Sequence, residues 1–321
     1  MFVGKTMDGL EEIAADEANG KKVCARTIEF VKKKELKTVS MVYEKRGVFK
    51  FDSLDDIGKR AREVKMQVQS PVAVKGFRVG NHEFKSVDAA QEVAVALREK
   101  GVVVDYKNPK EVVVVDIIDD VCIMGMLVKE DMCKREYRVK VNNKSVSACI
   151  AAAMVRIAGV KMKESVLDPL CKDGVIAIEA WMSGIKKVYA SDVVANNVRN
   201  ASVNCRFGKI KIIPECHEVR EISKKYKQVD HIITNMVLSK NDKGAENLFA
   251  EMFAQAKNVV KKRVTIITNH PELVDGEKAG FGRGKRIEVK VGDMQYAIMT
   301  FDRVKEGRKR QSQKVLVPRR K

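Results

Sequence analysis

No apolar run in this chain approaches the roughly 20 residues of a membrane-spanning helix; the runs stay short, such as Val112–Val115. The first ten residues lack a long apolar core, and acids fall within the first dozen, so a secretory signal peptide is not expected. None of the seven cysteines forms a Cys-x-x-Cys pair, which argues against a structural zinc site. Their odd number and scattered spacing suit a reducing cytosol better than a disulfide framework, and a cytoplasmic location is expected. Neither Gly-x-Gly-x-x-Gly nor the P-loop pattern occurs, which argues against a standard dinucleotide site and against an NTPase. Acids are also in short supply: 43 Asp and Glu face 62 Lys and Arg, a net charge of +19.

That charge is large for 321 residues and favours a polyanionic partner, because each phosphate neutralised releases counterions. Nucleic acid is the expected partner. A hydrophobic content of 45% with 33% charged residues is that of a soluble globular protein, long enough for two domains. No internal repeat is visible.

Along the chain, apolar spacing at Leu10, Ile13, Ala14 and Ala18 predicts a helix. Val42 and Val48–Phe51 read as strand, and Ser53 as the N-cap of a second helix. Pro71–Val79 is a strand, Gly80–Ser86 a turn with a cap at Ser86, and Val87–Lys100 a helix ended by Gly101. Glu111–Ile118 and Val121–Val128 are paired strands across Asp119–Asp120. Ser145–Gly159 is a small-residue helix that bridges two halves. Beyond Glu164, strands at 166–167, 187–190, 210–213, 229–233 and 263–267 alternate with helices, the order of a doubly wound parallel sheet. Gln295–Phe301 is a last strand, and Phe281–Arg286 is read as a Gly/Arg loop able to track RNA. The expected division is 1–66, 67–141, a linker helix at 142–160, 161–302, and a basic tail at 303–321 that offers a grip on RNA phosphates.

In open parallel sheets ligands bind outside the carboxyl ends of the strands. Asp168 ends the first strand of the C-terminal half, and Gly174 sits in the turn before a helix whose N-terminus can face a cofactor. Asp192 ends the second strand, where a carboxylate can accept two ribose hydroxyls.

Four segments carry a resemblance: Gly76–Ser86, Val104-Asp-Tyr-Lys-Asn-Pro-Lys-Glu-Val-Val-Val-Val-Asp116, Cys133-Lys-Arg-Glu-Tyr-Arg-Val139 and Ala148–Gly159. Together they resemble the THUMP-domain RNA methyltransferases, the group that methylates guanine N2 in tRNA. The likeness runs through almost the whole chain. It implies an N-terminal ferredoxin-like region plus a THUMP domain, both α+β, followed by a doubly wound, Rossmann-like class I methyltransferase fold. It implies S-adenosylmethionine as cofactor and tRNA as partner, since THUMP domains bind its acceptor end. Candidate RNA contacts on these segments are Arg78, His82, Lys107, Lys134, Arg135 and Arg138.

The second half departs from the family pattern. The family's first loop reads Asp-Pro-x-Cys-Gly-x-Gly-Thr; here it is Asp168-Pro-Leu-Cys-Lys-Asp-Gly-Val175, with Lys172 for the first Gly and Val175 for the Thr. Asp192 keeps the ribose acid, while Cys216 takes the adenine-side Asp position, with Glu215 and Glu218 as neighbouring acids. The resemblance makes Asn235 the catalytic residue, its side chain and carbonyl accepting the target amine. The Pro-Pro-aromatic that should follow is Met236-Val-Leu238. Three readings stand: an active methyltransferase, a catalytically inactive RNA-binding relative, and a partner subunit of a ribonucleoprotein. Lys172 turned into the crevice and salt-bridged to Asp192 would close it; a pocket with Asp192 free and an acid swung in from Glu215 or Glu218 would favour catalysis; an exposed apolar patch at Met236–Leu238 would favour a protein partner.

Overall fold

The computed structural model describes residues 1–32, 35–238 and 244–304. They divide into two compact units: Met1–Val139 with Val146–Ile157 and Ile287–Tyr296, and Lys140–Ser145 with Ala158–Arg286 and the residues from Ala297.

The first unit runs β1 (Phe2–Thr6), α1 (Glu11–Ala18), β2 (Lys21–Cys24), β3 (Thr27–Phe30), β4 (Val39–Lys50), α2 (Leu54–Glu63), β5 (Val72–Val79), α3 (Ser86–Glu99), β6 (Glu111–Ile118), β7 (Val121–Lys129) and α4 (Ala148–Ala158). One seven-stranded sheet holds β1 to β7 in the order β2-β3-β1-β4-β7-β6-β5. β4 is the seam: it pairs antiparallel with β1 on one side and with β7 on the other, so residues 1–66 and 67–129 share a single sheet. β5 and β6 are parallel, which requires a crossover, and α3 supplies it.

Local chemistry sets these elements. The Ser53 side chain accepts from the Asp56 N–H and caps α2, a contact typically worth about 1 kcal/mol. At α3 the cap lies one residue earlier than the sequence suggests: the Asp88 carboxylate accepts the Lys85 N–H at 2.7 Å, and Ser86 is already helical. Gly76 is required by the approach of α3, since a Cβ there would stand 1.9 Å from the Ser86 carbonyl oxygen. Ala89, Val93 and Leu97 bury the inner face of α3 among Val72, Val74, Val113 and Val115. Each fully buried Val or Leu contributes about 1.5–3 kcal/mol.

The second unit runs β8 (Ser165–Asp168), α5 (Val175–Met182), β9 (Lys187–Asp192), α6 (Ala195–Phe207), β10 (Glu215–Cys216), α7 (Ile222–Lys225), β11 (Val229–Asn235), α8 (Ala245–Val259), β12 (Val260–Thr268), β13 (Phe281–Val291) and β14 (Met294–Arg303). Its sheet has the order β10-β9-β8-β11-β12-β14-β13. The first five strands are parallel, and β14 is antiparallel to β12. Strand order reverses between β8 and β11, which makes the carboxyl ends of those two strands the switch point.

Two expectations are corrected. Residues 210–213 are not a strand. Ile210 donates to the Cys205 carbonyl to end α6, Ile212 is buried while Ile213 is 86% exposed, and the outer parallel strand is instead the short β10. Phe281–Arg286 is not a loop but the start of β13, where the Lys285 N–H donates to Thr300 Oγ1 and Gly284 leaves room for that side chain. Of the basic tail expected at 303–321, Arg303 is the last residue of β14, and residues 305–321 lie outside the described residues.

Candidate functional site

The crevice at the switch point is built by two loops and one strand end. After β8, the loop Pro169–Gly174 turns back so that the Cys171 N–H donates to the Ser191 carbonyl at 2.9 Å, tying it to the end of β9. Gly174 sits at φ +81°, with Ala201 of α6 only 3.0 Å from where its Cβ would stand, so it serves loop closure and helix packing. Lys172 is also left-handed, at φ +51°, a conformation that costs a residue with a Cβ roughly 1–2 kcal/mol.

Asp192, expected at the end of β9, is there and buried. One carboxylate oxygen accepts the Lys172 N–H at 3.0 Å; the other accepts Val194 N–H and Asn197 Nδ2, both at 3.0 Å. Asn235 ends β11. Its Oδ1 accepts the Val237 N–H at 2.9 Å, its Nδ2 donates to the Lys144 carbonyl at 2.9 Å, and its own carbonyl accepts Lys172 Nζ at 2.5 Å. The Lys172 side chain therefore runs from the loop after β8 to the end of β11, over the switch point itself; the expected salt bridge to Asp192 is not made, because Nζ reaches the Asn235 carbonyl and Asp192 takes the Lys172 backbone N–H instead.

Asp168 lies beneath this span and is 1% exposed. One oxygen accepts Thr234 Oγ1 at 2.7 Å and Leu170 N–H at 3.4 Å; the other has no hydrogen-bond partner among the described residues. Burial raises its carboxyl to about 7, against the opposing effects of the Thr234 hydrogen bond and the Lys172 charge. Burial likewise lowers the Lys172 ammonium, against the pull of Asp168 and Asp192.

Sequence reasoning missed the segment Lys140–Ser145, which is stitched to the crevice loop. Asn142 N–H and Ser145 Oγ donate to Asp173 at 3.2 and 2.6 Å, and Asn142 Nδ2 donates to Asn197 Oδ1 at 3.0 Å. The buried Asn204 carboxamide bridges the Lys140 backbone and the Asp173 carbonyl. Asp173 is flanked by Lys172 and Gly174, so the loop itself was the available signal; its distant partners were not.

Cys216, in register beside Asp192 on β10, is exposed, with its Sγ 3.6 Å from the Val193 carbonyl. Neither neighbouring acid replaces it at that edge: Tyr226 OH donates to Glu215 at 3.4 Å and approaches His217 Nε2 at 3.2 Å, while Glu218 pairs with Arg220. Met236 is fully buried, its N–H donating to the Ile267 carbonyl, so no patch of three exposed apolar residues forms at 236–238.

In the first unit the candidate RNA residues separate into two kinds. Arg78 donates to the carbonyls of His82 and Phe84, at 2.9 and 2.5 Å, and holds the turn after β5. His82 is packed against Phe51 and Phe84, with Nε2 2.6 Å from the Asp119 carbonyl. Arg135 spans the carbonyls of Met132 and Lys37, and Arg138 is half-buried. Lys107 and Lys134 are exposed, Lys134 beside Asp131 at 2.6 Å.

Residues 51–127 match the THUMP domain family, and residues 135–291 match UPF0020, the RMKL-like methyltransferase domain. A tRNA (guanine(6)-N2)-methyltransferase of Archaeoglobus fulgidus is 33% identical over 117 residues, 34% of this chain and 30% of that protein. A protein of the same name from Thermus thermophilus is 29% identical over 168 residues, half of each chain. This chain thus spans half or less of these curated relatives. The crystal structure of TrmN from Thermus thermophilus superimposes with a TM-score of 0.80 at 22% identity, covering 94% of this chain and 99% of that one, a likeness of fold. The second unit is a class I methyltransferase fold. The chain joins a THUMP domain to a methyltransferase domain of the UPF0020 family. Among the described residues, no helix is long and apolar enough to cross a membrane.

A methyltransferase domain of this family implies S-adenosylmethionine. The orphan oxygen of Asp168 and the placement of Asp192 suit such a ligand. The crevice as it stands does not, because the Lys172 side chain spans the switch point to the Asn235 carbonyl.

Proposed function

We propose that this protein binds structured RNA of the tRNA class, guided by its THUMP domain, as a relative of the guanine-N2 methyltransferases. The observation that carries this reading is the joining of a THUMP module to a UPF0020 methyltransferase module on one chain of net charge +19. The names of the curated relatives point to tRNA in particular. Lys107 and Lys134, which present their side chains to solvent, make the phosphate contacts. Arg78, His82 and Arg135 shape the surface through their own backbone partners and contribute less charge. The target amine is assigned to Asn235 and the ribose to Asp192, with Asp168, Gly174 and Cys216 around the cofactor, once the crevice is clear of Lys172.

Filter binding of a tRNA transcript and of an unstructured RNA of equal length, each over a range of salt, tests the RNA reading. Affinity for tRNA should exceed that for the unstructured chain and fall with log salt at a slope of about 0.7–0.9 per phosphate contact. Lys107→Ala and Lys134→Ala should each reduce the slope by about 1. Equal affinity for both RNAs at every salt concentration would rule out recognition of structure.

A further inference from the structure

We infer that Lys172 is an internal occupant of the strand-end crevice, its ammonium standing on the Asn235 carbonyl in competition with both the S-adenosylmethionine cation and an incoming target amine. Three observations converge on it. The first is place: the side chain leaves the loop after β8 and ends on the last residue of β11, the two strands between which the sheet order reverses. Any ligand held at that switch point must share the space with its four-carbon stem.

The second is chemistry. Lys172 Nζ meets a backbone carbonyl at 2.5 Å rather than a carboxylate, although Asp168 keeps a buried oxygen without a partner among the described residues. An N–H donor on the Asn235 carbonyl is the same contact that the resemblance assigns to the exocyclic amine of a base. The ammonium and the sulfonium are both cations, so two of them in one desolvated crevice repel, whereas the pocket acids could stabilise either one alone.

The third is backbone. Lys172 occupies a left-handed position, φ +51°, where glycine is unstrained and a lysine is not. Its N–H is held by Asp192 at 3.0 Å, a bond that glycine would keep. Lys172→Gly therefore removes the occupant without removing the loop's anchor, which makes the inference separable from a structural role for the side chain.

Calorimetric titration of the full chain and of Lys172→Gly, with S-adenosylmethionine and with S-adenosylhomocysteine, which lacks the sulfonium, tests this. Lys172→Gly should bind both ligands about tenfold to hundredfold more tightly than the unmodified chain, the range set by one charge-assisted hydrogen bond. The gain should be larger for the cationic ligand. Equal or weaker binding by Lys172→Gly, with thermal unfolding showing it folded, overturns the inference, as does the absence of heat from both proteins. Should the glycine variant fail to fold, Lys172→Met keeps the stem and removes the charge, and its gain is expected for S-adenosylmethionine alone; no gain overturns the inference. Binding of tRNA measured beside it should be unchanged by the substitution, so a failure here is distinct from a failure of RNA recognition.

Discussion

Each unit turns a lysine inward, buried in the first at Lys5 and half-buried in the second at Lys172, and the two are treated differently. In the first, Lys5 Nζ meets both oxygens of Asp116, at 2.7 and 2.9 Å, and Thr27 Oγ1 at 2.8 Å, while the Tyr43 hydroxyl donates to the same carboxylate at 2.8 Å. Nothing in that cluster is left over, and burial together with the Asp116 charge pushes the Tyr43 hydroxyl well above its ordinary value. In the second, Lys172 binds a carbonyl, and the nearby Asp168 keeps an oxygen without a partner among the described residues. A buried network with every partner filled is architecture; one left partly filled, at a switch point, marks a place where a ligand belongs.

The largest effect expected from this contrast is at the closed cluster. Asp116→Ala strands the Lys5 ammonium and should cost about 3–5 kcal/mol of unfolding free energy, read from urea denaturation. A loss under 1 kcal/mol would break the comparison, since Lys5 would then need no partner. A pH effect at the open site sharpens it. Because burial raises Asp168, the folded chain keeps this proton to higher pH than the unfolded chain does. The stability so gained is complete below the unfolded value of about 3.9 and is lost as pH rises through about 7. Melting temperatures of Asp168→Asn between those limits should fall less with pH than those of the unmodified chain; parallel curves would show that Asp168 ionises as freely as an exposed acid. The smallest effect is Lys172→Gly on stability itself. Relief of the left-handed strain offsets the lost hydrogen bond, so the change should stay within about 1 kcal/mol of zero. A loss comparable to that of Asp116→Ala would make Lys172 a second structural pillar.

Much of this was legible because it depends on neighbours in sequence. The Ser53 cap, the hairpin across Asp119–Asp120 and the acid at the end of β9 each follow from a few adjacent residues. What was not legible depends on partners far along the chain. An alternating Ile210–Ile213 reads as strand, yet α6 ends by drawing Ile210 back onto Cys205, and pairing falls to Glu215–Cys216. Gly282 and Gly284 suggest a loop, but Gly284 lies against Thr300 on the neighbouring strand. Arg78 reads as a cation for phosphate, while in the fold it serves two carbonyls of its own turn. At the site, the loss of a glycine at position 172 was visible; where the replacing side chain would end, sixty-odd residues away on β11, was a property of the sheet order alone.

The long strand β4 has a kinetic consequence. Its pairing with β7 joins segments separated by α2, β5, α3 and β6, so the middle of the first sheet closes only after a long stretch of chain has been gathered in. Contacts of such sequence separation slow folding, because loop entropy is lost before the pairing compensates for it. Until β7 arrives, β4 presents an unpaired edge to other chains, and the exposed charges Arg46 and Lys50 on it keep that edge from becoming a template for aggregation.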